Sequence, residues 1–69
     1  MPVLNRIKEI RKARKITQVQ MAMDLQITRQ TITAIENNKY NPSLELSLKL
    51  VKYFKVSIDD IFELKEADE

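Results

Sequence analysis

The sequence predicts an all-α domain built from five short helices. Apolar residues recur at intervals of three and four over most of the chain, which is the periodicity of an amphipathic helix. A Ser or Thr stands just before four of the apolar stripes, where it would act as a helix N-cap. With 69 residues, the chain 1–69 has room for a single such domain.

The first three helices are predicted from apolar stripes and caps, over residues 4–14, 18–25 and 29–37. Thr17 and Gln20 have the T-x-x-Q spacing of a capping box at the start of helix 2. Thr28 can cap helix 3 in the same way. The residues expected to face the core are Leu4, Ile7, Ile10, Met21, Ala22, Leu25, Ile32 and Ile35.

The last two helices follow the turn sequence NNKYNP at residues 37–42, whose Asn-Pro step disfavours helix. Ser43 caps helix 4, which should end near Phe54. Ser57 and Asp60 form a second capping box and open helix 5. The residues expected to face the core are Leu44, Ser47, Leu48, Val51, Phe54, Ile58, Ile61 and Phe62.

The two ends of the chain carry the strongest strand signal. Residues 2–4 and 62–65 alternate enough to pair as a small two-stranded ribbon, and frayed ends are the alternative.

Composition narrows the classes of function. Cys and His are absent, so disulfides, thiolate chemistry and the usual soft-metal sites are excluded, and we expect no metal and no cofactor. An enzyme is not expected, because the chain offers no evident acid, base or nucleophile. We expect a cytoplasmic protein with no membrane span, since no apolar run approaches about 20 residues and no signal-peptide pattern is present. We also expect no small-molecule ligand.

The charges are unevenly distributed, and the basic first part of the chain could be either an anion-binding face or a solvated helix surface. Residues 1–15 carry six basic residues against one acid, and residues 43–69 carry four Lys against seven acids. Helices 4 and 5 begin with acids, which complement the positive end of the helix dipole, but helices 2 and 3 begin QVQ and RQT. Two neighbouring helix starts without acids suit an incoming phosphate.

The side chains of helix 3 have the chemistry to read a DNA duplex. Arg29 can bond guanine O6 and N7, Gln30 can bond adenine N6 and N7, and the Thr33 methyl group can contact the thymine methyl. All three lie on the face opposite Ile32 and Ile35, so we expect them to be exposed.

The chain resembles the phage-repressor and Cro type of helix-turn-helix, also called the xenobiotic-response-element family. The resemblance is carried by the segment that begins at Thr17 and reads T-Q-x-x-M-A-x-x-L-x-I-T-R-Q-T-I-T-x-I-E-N-x-K-Y-N-P-S-L. The resemblance covers about residues 5–62. It implies a five-helix, lambda-repressor-like DNA-binding domain whose helix-turn-helix spans residues 17–37, with helix 3 in the major groove. The chain is most similar to short stand-alone repressors of the cytolysin-regulator kind, which dimerise through the C-terminal end, here residues 57–66.

Carried onto this chain, the resemblance assigns roles to residues around helix 3. It implies an ion pair between Arg11 and Glu36, and it leaves Arg6, Arg14 and Lys15 to tune long-range attraction or contact phosphate. Gln18 would also brace helix 3. The residues implied to contact the DNA backbone are Gln18, Thr28, Asn37, Lys39 and Tyr40.

The family often has Gly after helices 2, 3 and 4, but this chain contains no Gly at all. The corresponding residues are Gln26, Asn38 and Lys55, and a left-handed backbone there would cost Gln26 and Lys55 about 1 to 2 kcal/mol each. We therefore expect local strain at those two positions.

The resemblance implies a homodimer on a palindromic double-stranded DNA operator. Apolar residues expected just outside the core stripe of helix 4 and at the C-terminal end would suit a dimer interface: they are Leu46, Leu50, Tyr53, Phe62 and Leu64. Two other functions remain open. The protein could be an antitoxin that binds DNA and masks a toxin protein, or a protein-binding adaptor whose surface includes Val19, Met23 and Leu46.

Overall fold

The computed structural model describes residues 3–39 and 41–65, and it contains the five predicted helices. The predicted ribbon between the chain ends is also confirmed. In chain order the elements are β1 (Val3–Asn5), α1 (Ile7–Ala13), α2 (Gln18–Leu25), α3 (Arg29–Glu36), α4 (Leu44–Phe54), α5 (Ile58–Ile61) and β2 (Phe62–Leu64). No helix of these described residues is long and apolar enough to cross a membrane.

The two strands pair antiparallel, so the first and last elements of the described chain lie side by side. Leu4 lies opposite Glu63 and Asn5 opposite Phe62. Arg6, between β1 and α1, donates from Nη2 to a carboxylate oxygen of Glu63 at 2.9 Å. The prediction that helix 1 begins at residue 4 is therefore wrong, because Leu4 belongs to β1 and is 38% exposed.

The core is apolar and draws on all five helices. The predicted core residues on the first three helices are largely confirmed, and Phe54 and Ile61 are fully buried at the far end of the chain. Ile58, predicted to be buried, is 45% exposed, since α5 turns its first residue outward. The buried apolar residues are Ile7, Met21, Ala22, Leu25, Ile32, Ile35, Leu46, Leu50, Phe54 and Ile61.

The predicted inward face of α4 is wrong at its two leucines, whereas its three other predicted residues are buried or half-buried. Leu44 and Leu48 are 73% and 52% exposed, whereas Leu46 and Leu50 are 8% and 2% exposed. Leucines at every second position allow two stripes on one helix, and the stripe that continues in steps of four to Phe54 is the one that is buried. Leu46 and Leu50 are thus core residues, so the prediction that they form a dimer interface is also wrong.

Each of the first four helices is followed, within two residues, by a residue with a left-handed backbone. The predicted positions Gln26, Asn38 and Lys55 have φ values of 59°, 59° and 58°, and Lys15, which was not predicted, has 61°. After each helix a hydrogen bond runs from the residue following the left-handed one back to the last turn, as in a Schellman motif. These bonds are Ile16 to Arg11, Ile27 to Ala22, Lys39 to Ala34 and Val56 to Val51, at 3.0, 3.0, 2.8 and 3.3 Å from N to O.

Candidate nucleic-acid interface

Threonine hydroxyls rather than carboxylates satisfy the first turns of α2 and α3. Thr17 Oγ1 accepts from the Gln20 backbone N–H at 3.0 Å, and Thr28 Oγ1 accepts from that of Thr31 at 3.1 Å. The predicted T-x-x-Q box is only half formed, because the Gln20 side chain bonds Asp24 at 2.7 Å. Neither first turn contains an acid, so both helix starts keep their positive character toward solvent.

The predicted base-reading residues share one exposed face of α3. Arg29, Gln30 and Thr33 are exposed, while Ile32 and Ile35 on the opposite face are 1% and 2% exposed. This division follows from the helical repeat, since residues three and four apart share a face. The helix therefore presents a guanidinium, an amide and a hydroxyl side by side, which is the chemistry that recognises base edges in a major groove.

Gln18 connects the start of α2 to both ends of α3. Its Nε2 donates to Glu36 Oε1 at 3.0 Å, and its Oε1 accepts from Arg29 Nε at 3.3 Å. The Thr33 hydroxyl lies 3.4 Å from the same Oε1 and 3.1 Å from the Arg29 carbonyl. The predicted bracing of helix 3 by Gln18 is therefore present.

The predicted ion pair between Arg11 and Glu36 is present and buried. Arg11 Nε and Nη2 donate to the two carboxylate oxygens of Glu36 at 2.7 and 3.2 Å. The Arg11 and Glu36 side chains are 9% and 2% exposed. Arg11 Nη1 also donates to the Ile16 carbonyl at 2.9 Å, so the pair ties α1 and its following turn to the end of α3.

Asn5 holds the far end of α3, a role that sequence reasoning missed. Its Nδ2 donates to the Ile35 carbonyl at 2.9 Å and to Asn38 Oδ1 at 3.2 Å. Its Oδ1 accepts from the Ile7 N–H at 3.1 Å, which links β1 and α1 to the turn after α3. An Asn just before an apolar stripe is a cap signal, and that signal could have identified the Ile7 contact.

The residues predicted to contact backbone phosphate flank this face at its two ends. Gln18 and Thr28 lie at the starts of α2 and α3, and Asn37 and Lys39 are exposed just after α3. Tyr40, predicted to join them, lies outside the described residues.

Besides Arg11, two more basic residues of the N-terminal segment make contacts within the fold. Arg6 pairs with Glu63 and also donates to the carbonyls of Asp59 and Asp60 at 3.5 and 3.4 Å. The Arg14 guanidinium lies 5.4 Å from the centroid of the Phe54 ring, within range of a cation–π interaction. Their charges still contribute to the local electrostatic potential, but both side chains are held by contacts within the domain.

Tyr53 joins α4 to α2 through its hydroxyl. The Tyr53 hydroxyl donates to Asp24 Oδ2 at 2.5 Å. Burial of the phenol, reinforced by the hydrogen bond to the Asp24 carboxylate and its charge, raises the pKa of Tyr53 to about 12. The side chain is thus partly committed to the fold, although it remains only half-buried.

The sequence profile of the helix-turn-helix family matches residues 7–61, which span α1 to α5. The chain belongs to the Cro/repressor type of this helix-turn-helix family. Members of the family are DNA-binding transcriptional regulators, so the arrangement of α2 and α3 is that of a family whose members bind DNA.

Relatives of this helix-turn-helix protein include short archaeal and bacterial regulators. It is 48% identical over 65 residues to an uncharacterized HTH-type transcriptional regulator of Methanocaldococcus jannaschii, with 94% of this chain and 97% of that protein covered. It is 52% identical over 44 residues to the immunity repressor protein of Bacillus phage phi105, with 64% of this chain and 31% of the repressor covered. The crystal structure of a candidate DNA-binding protein from Bacteroides fragilis superimposes with a TM-score of 0.80 at 26% identity, with 88% of this chain and 98% of that one covered.

Proposed function

We propose that this helix-turn-helix protein is a homodimeric transcriptional repressor that binds a palindromic operator, with α3 in the major groove. The observation that carries the proposal is the exposed face of Arg29, Gln30 and Thr33 next to two helix starts without acids. A carboxylate in either first turn would repel the phosphate backbone as the helix entered the groove. Repression is favoured over activation by the similarity to a phage immunity repressor.

The proposed contacts divide into two classes with different consequences. Arg29, Gln30 and Thr33 contact base edges and determine which sequence is bound. The remaining contacts fix the position of the protein on the duplex without reading sequence. The proposed backbone contacts are Gln18, Thr28, Asn37, Lys39 and Tyr40.

Dimerisation is proposed because one copy offers few base contacts. Two copies on a palindrome would read half-sites about one helical turn, roughly 34 Å, apart. Leu64 is 58% exposed, and Phe62 and Tyr53 are half-buried, so these three remain the proposed dimer contacts after Leu46 and Leu50 are assigned to the core. The protein would act in the cytoplasm, where a bacterial or archaeal chromosome is found.

The central test is selection of bound sequences from random double-stranded DNA at a stated salt concentration. A palindromic consensus would support the proposal, and the absence of any enriched sequence would refute it. If the dimer makes about 6 to 10 phosphate contacts, affinity should fall by about 10³ to 10⁵ between 50 and 200 mM salt. An interaction insensitive to salt would contradict α3 docking against the duplex.

Two variants separate the proposed classes of contact. Arg29→Ala should cost about 1 to 3 kcal/mol and relax preference at one base pair. Lys39→Ala should weaken operator and random DNA alike and reduce the salt slope by about 1. If both variants changed affinity in the same way on both kinds of DNA, the division of roles would be wrong.

The dimer contacts can be tested against an equally exposed apolar residue elsewhere. Leu64→Glu should shift the protein toward monomer in sedimentation equilibrium, because a charge would replace apolar surface at the interface. Met23→Glu is the matched control, since Met23 is 66% exposed on α2. Equal effects of the two variants, or a monomeric parent protein, would exclude this interface.

A further inference from the structure

We propose that Glu36, besides pairing with Arg11, is a positioning residue for base recognition: it fixes the direction of the Gln18 amide and thereby the presentation of Arg29. Glu36 lies at the C-terminal end of α3, whereas Arg29 lies at its start. The inference rests on the proposed function, since it concerns the same DNA-reading face. It assigns specificity to a buried carboxylate that does not itself contact DNA.

The first step is the direction of the Gln18 amide. Both oxygens of the Glu36 carboxylate accept from the Arg11 guanidinium, the closer contact at 2.7 Å, and a carboxylate held in such a pair only accepts hydrogen bonds. Its Oε1 accepts from Gln18 Nε2 at 3.0 Å. A reversed amide would place two acceptors against each other beside a buried charge, which is unfavourable at low local dielectric. Glu36 therefore allows only one orientation of the Gln18 side chain.

The second step is what this orientation offers to α3. With its NH2 group held by Glu36, Gln18 presents a carbonyl oxygen to Arg29, whose Nε donates to it at 3.3 Å. In the reversed orientation an NH2 group would face the Arg29 guanidinium, and both groups are donors. The Thr33 hydroxyl has a single hydrogen, and the Arg29 carbonyl at 3.1 Å is a closer acceptor than Gln18 Oε1 at 3.4 Å. The Gln18 oxygen is therefore available chiefly to Arg29.

The third step is the geometry that remains at Arg29. A guanidinium whose Nε is engaged keeps its two terminal nitrogens, Nη1 and Nη2, for a partner approached end-on. Such a pair of parallel donors matches O6 and N7 of guanine in the major groove. The chain from Arg11 through Glu36 and Gln18 to Arg29 thus prepares the free protein to read a guanine at this position.

The experiment measures binding of the selected operator and of single base-pair variants at fixed salt. Glu36→Gln should lower the preference for guanine roughly 5- to 10-fold at the base pair whose preference Arg29→Ala abolishes, because the introduced amide can accept or donate and Gln18 can reverse. Preferences at other base pairs should change less than about 2-fold. Glu36→Asp should retain the guanine preference, since it remains an acceptor only.

The matched control is Glu45→Gln, which makes the same change of charge at an exposed site. The Glu45 side chain is 83% exposed, and its carboxylate lies 3.9 Å from Lys49 Nζ on the same helix. It should leave every base preference unchanged. Should Glu36→Gln fail to fold, Arg11→Met combined with Glu36→Gln removes the buried unpaired charge and provides the same measurement.

The outcomes distinguish this inference from the proposed function. The inference would be overturned if Glu36→Gln lowered affinity equally for all sequences, or left the preference at the Arg29 base pair unchanged. Either result would mean that Glu36 has only a structural role. It would also be overturned if Glu36→Asp lowered the guanine preference as much as Glu36→Gln does. A parent protein that shows no sequence preference would instead refute the proposed function.

Discussion

Replacing Lys55 with Gly should raise the free energy of unfolding. Lys55 follows α4 with φ 58° and ψ 46°, a left-handed conformation that brings the Cβ of any residue except Gly too close to the backbone carbonyl. Its backbone N–H bonds the Val51 carbonyl at 2.8 Å, and that bond survives the substitution. The change therefore removes strain without removing a structural hydrogen bond.

The size of the effect follows from two opposing contributions. Relief of the left-handed strain gains about 1 to 2 kcal/mol. The greater backbone freedom of Gly in the unfolded chain costs roughly 0.5 to 1 kcal/mol. A net gain of about 0.5 to 1 kcal/mol would raise the melting temperature by roughly 2 to 8 °C for a domain of this size.

Lys52→Gly is the matched control, because it removes the same charge from an exposed position three residues earlier. Lys52 lies within the last turn of α4, where Gly should cost about 1 kcal/mol relative to a good helix former. The two variants should thus shift the midpoint of urea or thermal unfolding in opposite directions, measured by circular dichroism at one protein concentration. A loss of stability in both would mean that Lys55 is not strained in the folded protein.

Three further predictions test other parts of the fold. Leu50→Ala should cost about 2 to 5 kcal/mol in urea unfolding, and Leu48→Ala within about 0.5 kcal/mol; equal costs would contradict the assignment of the buried face of α4. Arg11→Met should destabilise by about 3 to 5 kcal/mol, because it leaves the Glu36 carboxylate buried without its cation, and a neutral outcome would show that water reaches the site. Because Tyr53 has its pKa raised from 10.0 to about 12, the neutral phenol stabilises the folded state fully below pH 10.0, and that stability is lost as pH rises to about 12. Tyrosinate absorbance should show this late ionisation, and Tyr53→Phe should abolish it; ionisation near pH 10.0 would refute the contact with Asp24.

The parts of the fold that local chemistry determines were predictable from the sequence. Thr17, Thr28 and Ser43 each accept the hydrogen bond expected of an N-cap, so the starts of α2, α3 and α4 were correct. The exposed face of α3 followed from the burial of Ile32 and Ile35, because its helical period allows one apolar stripe.

Features that depend on tertiary packing could not be predicted in the same way. The alternating leucines of α4 allow two inward faces, and only the position of the other helices selects Leu46 and Leu50. The contact of Gln18 with both Arg29 and Glu36 joins residues 11 and 18 positions apart. No local pattern specifies it, and only the resemblance to the family implied that Gln18 braces helix 3. Leu4 fits a helical stripe equally well, but pairing with the strand at the opposite end of the chain removes it from α1.

The left-handed turn at Lys15 was missed, yet the sequence contains a signal that could have identified it. Before α2, α3 and α5 the chain has the same three-residue connector, in which a left-handed residue is followed by a β-branched apolar residue and then by Thr or Ser; only the connection after α1 has one additional residue, Arg14. The three connectors are Lys15-Ile16-Thr17, Gln26-Ile27-Thr28 and Lys55-Val56-Ser57.

The connectors explain how sharp turns form in a chain without Gly. Ile16, Ile27 and Val56 pack against the core and donate back to the preceding helix, while the hydroxyl residue that follows begins the next one. Core packing and the backbone hydrogen bond therefore fix the position of the middle residue. This in turn holds the residue before it in the left-handed conformation. Complete burial of a β-branched side chain contributes about 1.5 to 3 kcal/mol, and these three are partly buried, so their packing offsets part of a left-handed cost of about 1 to 2 kcal/mol. In the helix-turn-helix itself, the turn at Gln26 is held by the anchoring of Ile27 rather than by a flexible residue, so the angle between α2 and α3 is set by the core.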